Sequence, residues 1–382
     1  MKYLLLPDSY KGCLSAPEVA EAMALGISDV CPSAEAVKLP VSDGGEGFTM
    51  CAFSSLGGKM LSLSVTGPLG DPIEAPYLLS GDTAIMECAS ACGLTLVAPE
   101  RRDPMKATTF GLGEMIKDAL SRGARRIIIG LGGSGTNDGG LGLLAALGVS
   151  LQDKSGEDVP PGAVGLLALD YADFSGLCDF SGVEIIAACD VTNPLCGPDG
   201  ATFVYGPQKG VAPELLPVID SAMMNYACVC GIDPFFPGGG AAGGLGAAIV
   251  GVLGGKFRSG IELMLELQGV EALLSVGDVA AVFTGEGHTD SQSLYGKAVS
   301  GVAALAKKHG VQAVLISGAV DDGIAPELRD AGVTGVYPLS GGNTGVTAEE
   351  SIKNAPALIR ERTRESLANG RLHGCFGESL DI

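Results

Sequence analysis

The sequence predicts an α/β protein of two domains, and three observations lead to this prediction. The chain has 382 residues, which is enough for two domains with real cores. Hydrophobic residues make up 46% of it and charged residues 18%, as in folded globular proteins. Strands and helices alternate at both ends of the chain, which predicts one doubly wound domain with a parallel sheet, and a different pattern between them predicts an inserted mixed α/β domain.

The first 60 residues contain two strand–helix units. KYLLL is an apolar strand, and the helix that follows it begins after Ser15, with Glu18 completing a capping box. EAVKLPV is the second strand, and helical spacing after DGGEG continues as far as Leu56. Two such units in succession are typical of a parallel sheet with helices on both faces.

The pattern changes after residue 60 and returns near residue 279. Short strands joined by GPLGDP and SGD predict antiparallel hairpins, followed by mixed helices and strands such as RRIIIG and VEIIAAC. From VAAVFT onward strands and helices alternate again, and the last helix is predicted from Ala348 to about Ala368. We therefore assign residues 1–60 and 271–382 to the doubly wound domain and residues 61–270 to the insert, with the active site expected in the cleft between them.

Charge and hydropathy exclude several classes of partner. The formal net charge is −20 and no cluster of Lys and Arg interrupts it, so we expect no nucleic-acid partner. The apolar start MKYLLL is ended by Pro7 and Asp8, and the apolar stretch AAGGLGAAIVGVLGG is too short and too rich in glycine to cross a bilayer. The sequence predicts a cytoplasmic protein with no membrane partner, and it is compatible with a homo-oligomer.

Five predicted strands end in glycine-rich turns that carry acidic or hydroxyl side chains. For any single turn, a helix N-cap explains one such residue. Several of these turns carry more than a cap requires, and in doubly wound sheets ligands bind outside the carboxyl ends of the strands. We therefore expect a functional site among the following five turns: PDSYKG, SDGGEG, LGGSGTNDGG, DVTNPLCG and TGEGHTDSQ.

The turn after RRIIIG allows two interpretations. Gly130, Gly132 and Gly135 match the dinucleotide pattern G-x-G-x-x-G, and Asp153 lies at a suitable distance for a ribose-binding acid, so a nicotinamide-dependent oxidoreductase is one alternative. The pattern recurs by chance in a chain with 59 glycines, as it does at residues 238–243. Exposed N–H groups, two hydroxyls and a following helix instead indicate an anion site.

Among catalytic chemistries, phosphoryl transfer fits these residues best. Zinc chemistry needs clustered His or Cys, but there are only three histidines and no HExxH. Serine hydrolysis lacks a G-x-S-x-G elbow. Phosphoryl transfer needs oxygen ligands for Mg²⁺, N–H groups and lysines for phosphates, and a carboxylate base, all of which occur in the five turns.

Nine motifs occur in order along nearly the whole chain: DSYKG, LPVSDGGEG, VTGPLGDP, RDPMKATTFGLGE, GLGGSGTNDGG, ACDVTNPLCG, GPQKG, GGGAAGGLGAA and TGEGHTDSQSLYGK. Taken together, they resemble the bacterial type-one glycerate kinase family. The resemblance implies two α/β domains, one of them flavodoxin-like and formed by both chain ends. It also implies phosphorylation of D-glycerate with ATP and Mg²⁺, at the 2-hydroxyl to give 2-phosphoglycerate. Phosphorylation of the 3-hydroxyl or of a related small hydroxy acid stays open, as does a non-catalytic glycerate-binding protein.

The resemblance also implies roles for the acidic and hydroxyl-bearing turns. Glu286 and Asp290 are expected to hold Mg²⁺ or to orient a hydroxyl, and Lys297 is expected to neutralise phosphate. His288 and Thr289 stand where the family usually carries a basic and then an aliphatic residue. The nucleotide phosphates are expected to bind at Gly132, Gly133, Ser134, Gly135, Thr136 and Asn137.

Catalytic groups are expected in the remaining turns. Asp190 is the preferred general base or second metal ligand, with Asp43 and Asp138 as rivals. Lys11 and Lys209 are expected to bind the glycerate carboxylate or the transferring phosphoryl group.

Overall fold

The structure, a computed structural model, forms two compact units. It describes residues 1–294, 297–341 and 344–368, without the side chains of Gln292 and Leu294. Unit 1 comprises Met1–Asp43, Met50–Leu56 and the chain from Gly260 onward, and unit 2 comprises Gly44–Thr49 and Gly57–Ser259. Unit 1 therefore contains both ends of the described chain.

Strands and helices follow the predicted alternation. The strands are β1 (Lys2–Pro7), β2 (Glu35–Lys38), β3 (Lys59–Thr66), β4 (Pro72–Ser80), β5 (Thr83–Glu87), β6 (Arg126–Gly130), β7 (Ser150–Gln152), β8 (Tyr171–Asp173), β9 (Glu184–Ala188), β10 (Lys256–Arg258), β11 (Val279–Thr289), β12 (Gln312–Val320) and β13 (Val333–Pro338). The α-helices are α1 (Ala16–Val30), α2 (Phe48–Leu56), α3 (Cys88–Cys92), α4 (Phe110–Ser121), α5 (Leu141–Ala146), α6 (Ala163–Ala168), α7 (Ala201–Tyr205), α8 (Leu216–Cys230), α9 (Ala241–Gly246), α10 (Gly260–Leu267), α11 (Val270–Ser275), α12 (Ala298–Lys308), α13 (Ala325–Ala331), α14 (Ala348–Lys353) and α15 (Ala355–Ala368).

Unit 1 contains a five-stranded parallel sheet in the order β13-β12-β11-β1-β2. Counted along the chain within this unit, that is the order 2-1-3-4-5 of flavodoxin-like folds. Leu4, Leu5 and Leu6 are fully buried on β1, because a central parallel strand is covered by helices on both faces. The predicted capping box of α1 is present, since the Glu18 carboxylate accepts hydrogen bonds from the N–H and the hydroxyl of Ser15.

Unit 2 contains a mixed six-stranded sheet in the order β10-β9-β6-β5-β4-β3. Strands β5, β6, β9 and β10 are parallel, and β3, β4 and β5 form the antiparallel meander that the turns GPLGDP and SGD predicted. Helices α4, α5 and α8 pack their apolar residues against this sheet to form one continuous core. Because β5, β6, β9 and β10 are parallel, their carboxyl ends lie at the same end of the unit 2 sheet.

Two elements of unit 1 differ from the prediction. Strand β11 does not stop at a turn after Phe283 but continues through the glycine motif to Thr289, paired with β12. The predicted terminal helix is two helices, α14 and α15, separated at Asn354. Pro356 explains the break, because it cannot donate to a preceding carbonyl and is tolerated only in the first turn of a new helix.

Within the part of the chain that the structure describes, no helix is long and apolar enough to cross a membrane.

Glycines make the extension of β11 compatible with the neighbouring chain. A Cβ on Gly318 would lie 2.2 Å from the carbonyl oxygen of Gly287, whereas a Cβ on Gly287 would be 3.3 Å from its nearest neighbour, Cα of Tyr10. We predict that Gly318→Ala lowers the free energy of unfolding by about 2 kcal/mol or more, and Gly287→Ala by less than about 1 kcal/mol. Chemical denaturation of both variants measures this. Equal decreases in the free energy of unfolding would contradict the close approach of Gly318 to the Gly287 carbonyl.

Candidate active site

Unit 1 contains a cavity at the point where its strand order reverses. The chain leaves β1 toward β2 on one side and leaves β11 toward β12 on the other, which opens a crevice at the carboxyl ends of these two adjacent strands. The cavity has a volume of about 370 Å³. Its ionisable lining residues are Asp8, Lys11, Asp43, Glu286, His288, Asp290 and Lys297. Five of these were predicted site residues, and the sheet topology brings them together.

Asp8 is the most deeply buried acid of this cavity. It is the first residue after β1, its backbone N–H donates to the carbonyl of Gly285 at 2.8 Å, and only 7% of its surface is exposed. Burial and the negative charge of Asp43 raise the pKa of Asp8 to about 7, while the hydrogen bond from the Ser9 N–H and the charge of Lys11 oppose the shift. Asp8 is therefore poised to take up or release a proton near neutral pH.

Glu286 extends from the part of β11 that continues beyond the end of β1. Burial raises its pKa, and the hydroxyl of Thr289, which donates to the carboxylate at 3.0 Å, together with the charge of Lys297, opposes that shift. Thr289 is fully buried and its hydroxyl lies 2.9 Å from that of Ser317. Thr289 thus orients Glu286, which an aliphatic residue at this position cannot do.

Asp290 and His288 make local contacts at the rim of the cavity. The Asp290 carboxylate accepts the N–H of Ser293 at 3.1 Å, which is the arrangement of an N-cap for the short 3₁₀ helix Ser291–Leu294. The Nε2 atom of His288 lies 2.7 Å from the carboxylate of Asp321, and both side chains are exposed. Asp290 therefore performs the capping role that sequence reasoning weighed for such residues, in addition to lining the cavity.

The turn after β6 in unit 2 is fastened by Lys209. Gly132, Gly133 and Gly135 are at least partly exposed, whereas Ser134 and Thr136 are buried. The Lys209 ammonium is buried and donates to the Ser134 hydroxyl at 2.9 Å and to the Thr136 carbonyl at 2.7 Å. Burial lowers the pKa of Lys209 to about 8, against the influence of nearby thiols and of Asp138. A positive charge thus lies directly behind an exposed glycine turn.

Asp138 has a structural role in unit 2. Its buried carboxylate accepts the N–H and hydroxyl of Thr109 and the N–H groups of Gly140 and Gly142 at distances between 2.9 and 3.2 Å. It therefore already occupies the N-terminus of α5, where the sequence suggested that an anion would bind. Any phosphate at this turn would have to bind Gly132–Asn137 without that helix terminus.

Glu87 is a buried acid that sequence reasoning missed. It is the last residue of β5, and its carboxylate accepts the N–H of Gly47 at 3.1 Å and the N–H of Thr49 at 2.7 Å. It thereby holds the turn SDGGEG at the start of α2. The signal was present in the sequence, because TAIME is another strand that ends in an acid.

The predicted base Asp190 follows β9 in unit 2 and is partly buried there. No group of three or more His, Cys, Asp or Glu side chains within residues 1–294, 297–341 and 344–368 is arranged to hold a metal ion by itself. Asp190 as base and Glu286 and Asp290 as metal ligands stay predictions.

The chain is similar to known proteins along almost its entire length. Residues 3–369 match the sequence model of the glycerate kinase family. The chain is 40% identical to the glycerate kinase of Bacillus subtilis strain 168, over 97% of this chain and 98% of that one. It is 43% identical to the glycerate 2-kinase of Escherichia coli K12, over 89% and 90% of the two chains.

A solved structure shows the same fold. A crystal structure of a Salmonella typhimurium LT2 protein assigned as a glycerate kinase 2 is 41% identical, with a TM-score of 0.83 over 97% of this chain and 98% of that one. The family resemblance indicated by the motifs and the predicted α/β fold class are thereby confirmed.

The buried charge of Lys209 makes stability depend on pH in a definite direction. Its pKa is about 8 in the folded protein and 10.5 when unperturbed, so between these values the unfolded chain binds more protons and stability rises with pH. We predict that the unfolding free energy of the wild type, relative to Lys209→Met, increases by roughly 2 kcal/mol from pH 7 to pH 10. Chemical denaturation at both pH values measures it. Lys154→Met, which removes an exposed lysine, is the control. A difference in unfolding free energy between the wild type and Lys209→Met that stays the same at both pH values would contradict a buried ammonium.

Proposed function

Since the chain belongs to the glycerate kinase family, and is therefore a phosphotransferase with an alcohol group as acceptor, we propose that it transfers the γ-phosphoryl group of ATP to the 2-hydroxyl of D-glycerate. The observation that carries the proposal is the cavity of unit 1, which places carboxylates and lysines at the switch point of a flavodoxin-like sheet. The 2-hydroxyl is supported by the name of the Escherichia coli relative, a glycerate 2-kinase. The 3-hydroxyl and related hydroxy acids are the alternatives.

Lys11 and Lys297 supply the positive charge that a carboxylate substrate and a phosphoryl group require. Both line the cavity, and the charge of Lys297 acts on Glu286. The net charge of the chain is −20, so these local cations have to offset a global field that repels anions. We assign Lys11 to the carboxylate of glycerate and Lys297 to the transferring phosphoryl group.

Asp8 is our candidate for the general base in this cavity. As the 2-hydroxyl oxygen forms its bond to the γ-phosphorus, its proton passes to the Asp8 carboxylate, and the bond from the γ-phosphorus to the bridging oxygen breaks to release ADP. Asp8 lines the cavity and is its most buried acid, and a general base has to lie within hydrogen-bond reach of the proton that it takes. Asp43, whose charge acts on Asp8, is the nearest alternative, and Asp190 of unit 2 is the alternative proposed from the sequence.

Mg²⁺ fits the acids of the cavity. The negative charges of Asp43 and Glu286 both raise the pKa of Asp8, so these carboxylates repel one another and a divalent cation would relieve that repulsion. Glu286 and Asp290 would hold the ion. Mg²⁺ commonly takes one or two protein carboxylates and completes its shell with water and phosphate oxygens, so a three-ligand protein site is not required. When bound, the ion would offset negative charge on the phosphoryl oxygens.

The turn Gly132–Asn137 is the proposed site of the nucleotide phosphates. The N–H groups of Gly132 and Gly135 already donate to the carbonyls of Gly44 at 3.0 Å and Cys92 at 2.8 Å, so phosphate oxygens would bind chiefly at the exposed Gly133. The Lys209 ammonium behind Ser134 adds positive charge there. In this role Lys209 positions the turn and does not have to touch glycerate. A reaction that consumes ATP is expected in the cytoplasm, where we propose that the protein acts.

A proton-decoupled ³¹P NMR time course with purified protein, D-glycerate, ATP and Mg²⁺ tests the proposed function. We expect a phosphoglycerate resonance to grow as ATP is consumed. The coupling pattern without decoupling separates 2-phosphoglycerate from 3-phosphoglycerate. Unchanged ATP would contradict glycerate as the substrate.

The same assay tests the base. We predict that Asp8→Asn lowers kcat by at least about 100-fold, because the hydroxyl proton loses its acceptor, while the fold is retained since a neutral amide costs less to bury than a carboxylate. Asp321→Asn removes an exposed acid that pairs with His288 and serves as a control with nearly normal turnover. Normal turnover of Asp8→Asn together with loss of turnover in Asp190→Asn would move the base to Asp190.

A further inference from the structure

A second cavity lies in unit 2 and plays no part in the chemistry described above. Its volume is about 720 Å³, roughly twice that of the unit 1 cavity. Its walls come from two motifs of the sequence that phosphoryl transfer leaves without a role, VTGPLGDP and RDPMKATTF, together with α5, β7 and the segment around Val159. Of these two cavities, both formed by described residues, the one in unit 2 is the larger and has the more apolar lining.

The walls of this cavity suit a flat aromatic ligand. Leu69, Leu141, Val149 and Val159 give it aliphatic surfaces, and the ring of Phe110 is only partly buried within it. Small-molecule sites are typically apolar clefts with a few polar groups that fix orientation. A partly exposed aromatic ring beside aliphatic walls favours a ligand with two apolar faces.

The polar groups of the cavity suit the edge of a purine. Hydroxyls of Thr66 and Ser150 can donate to ring nitrogens, and the carboxylate of Asp158 can accept from an exocyclic amine. Lys106, which pairs with Asp103 at 3.2 Å, adds a positive charge at the lip. This combination of apolar faces and a polar edge matches adenine and does not match the small anion glycerate.

One wall of the cavity is closely packed and is linked by hydrogen bonds to the residue that follows the proposed phosphate turn. A Cβ on Gly142 would lie 2.2 Å from the Thr108 hydroxyl, so the wall between α5 and the RDPMKATTF segment is closely packed. Asp138 ties that wall together through Thr109 and Gly142, and it directly follows Gly132–Asn137 in the chain. A ligand in the cavity would therefore bind next to the wall segments that the Asp138 carboxylate holds in place.

We propose that this cavity binds the adenine nucleoside of ATP. The proposal rests on the proposed function, because only a nucleotide-dependent kinase needs such a site. The unit 1 cavity is smaller and lined mostly by charged or polar residues, so an adenine ring would displace charged groups from water there. In the unit 2 cavity the ring would instead bury mostly apolar surface, which favours binding.

A tryptophan introduced at the cavity tests binding directly, because the sequence contains none. Leu69→Trp places the single indole at a partly exposed wall position, and Val218→Trp places it on an exposed position of α8 as the control. We expect ATP and adenosine to change the emission of Leu69→Trp saturably, D-glycerate to leave it unchanged, and Val218→Trp to respond to none of them. An unresponsive Leu69→Trp protein that still turns over ATP would overturn the proposal.

Steady-state kinetics provide the second measurement. Ala145→Phe adds a ring on α5 that fills the cavity, and Val218→Phe adds the same ring at an exposed position of α8. We expect the first to raise KM for ATP at least about tenfold, equivalent to roughly 1.4 kcal/mol of binding, with KM for glycerate within about twofold, and the second to behave as wild type. An unchanged KM for ATP in Ala145→Phe would overturn the proposal while leaving the kinase intact. A wild type that consumes no ATP would instead remove the proposed function.

Discussion

The parallel pairing of β1 with β11 is the constraint on which the unit 1 site depends. It aligns Pro7 with Gly285, so the residues that follow them, Asp8 and Glu286, are brought to the same end of the sheet. The Thr284 hydroxyl donates to the carbonyl of Leu6, a contact between residues 278 positions apart in the chain. Because the two strands lead to opposite sides of the sheet, the crevice between them cannot be closed by either connection. The position of the cavity thus follows from strand order alone.

Electrostatics then determines what this crevice can do. Several carboxylates share one small cavity, and burying them is costly unless protons, lysines or cations compensate. A structural core would avoid such a cluster, and perturbed carboxylates concentrate at functional sites. Asp8 carries most of this cost, because it is the most buried acid and feels the charges of Asp43 and Glu286. The repulsion among these carboxylates, which contributes to its raised pKa, also favours binding of a divalent cation together with the substrate.

Much of the site was predictable because strand ends can be recognised locally. The apolar runs KYLLL and VAAVF and the polar turns after them fixed which residues reach the carboxyl edge of the sheet. The continuation of β11 was not predictable, since glycines usually indicate turns. Here they allow close approach, as Gly287 and Gly318 show. The sequence also does not show which distant segments a residue contacts. For this reason Asp138 was considered as a base, although it binds Thr109 and caps α5.

Lys209 shows why residue type alone does not determine a role. An isolated lysine between Gln208 and Gly210 suggested a substrate contact, but its ammonium is buried and fastens Ser134 and Thr136. Only the tertiary structure shows that the Lys209 ammonium lies behind a glycine turn and holds that turn in place. Asp8 illustrates the converse, because burial and the charges of Asp43 and Glu286, and not its own motif, raise its pKa.

A crystal structure of the protein with D-glycerate bound tests the central claim most directly. Our account predicts electron density for the acid in the unit 1 cavity, with its carboxylate within hydrogen-bond distance of Lys11 or Lys297 and a hydroxyl facing Asp8. Density for glycerate against Asp190 and Lys209 in unit 2, with the unit 1 cavity empty, would contradict it.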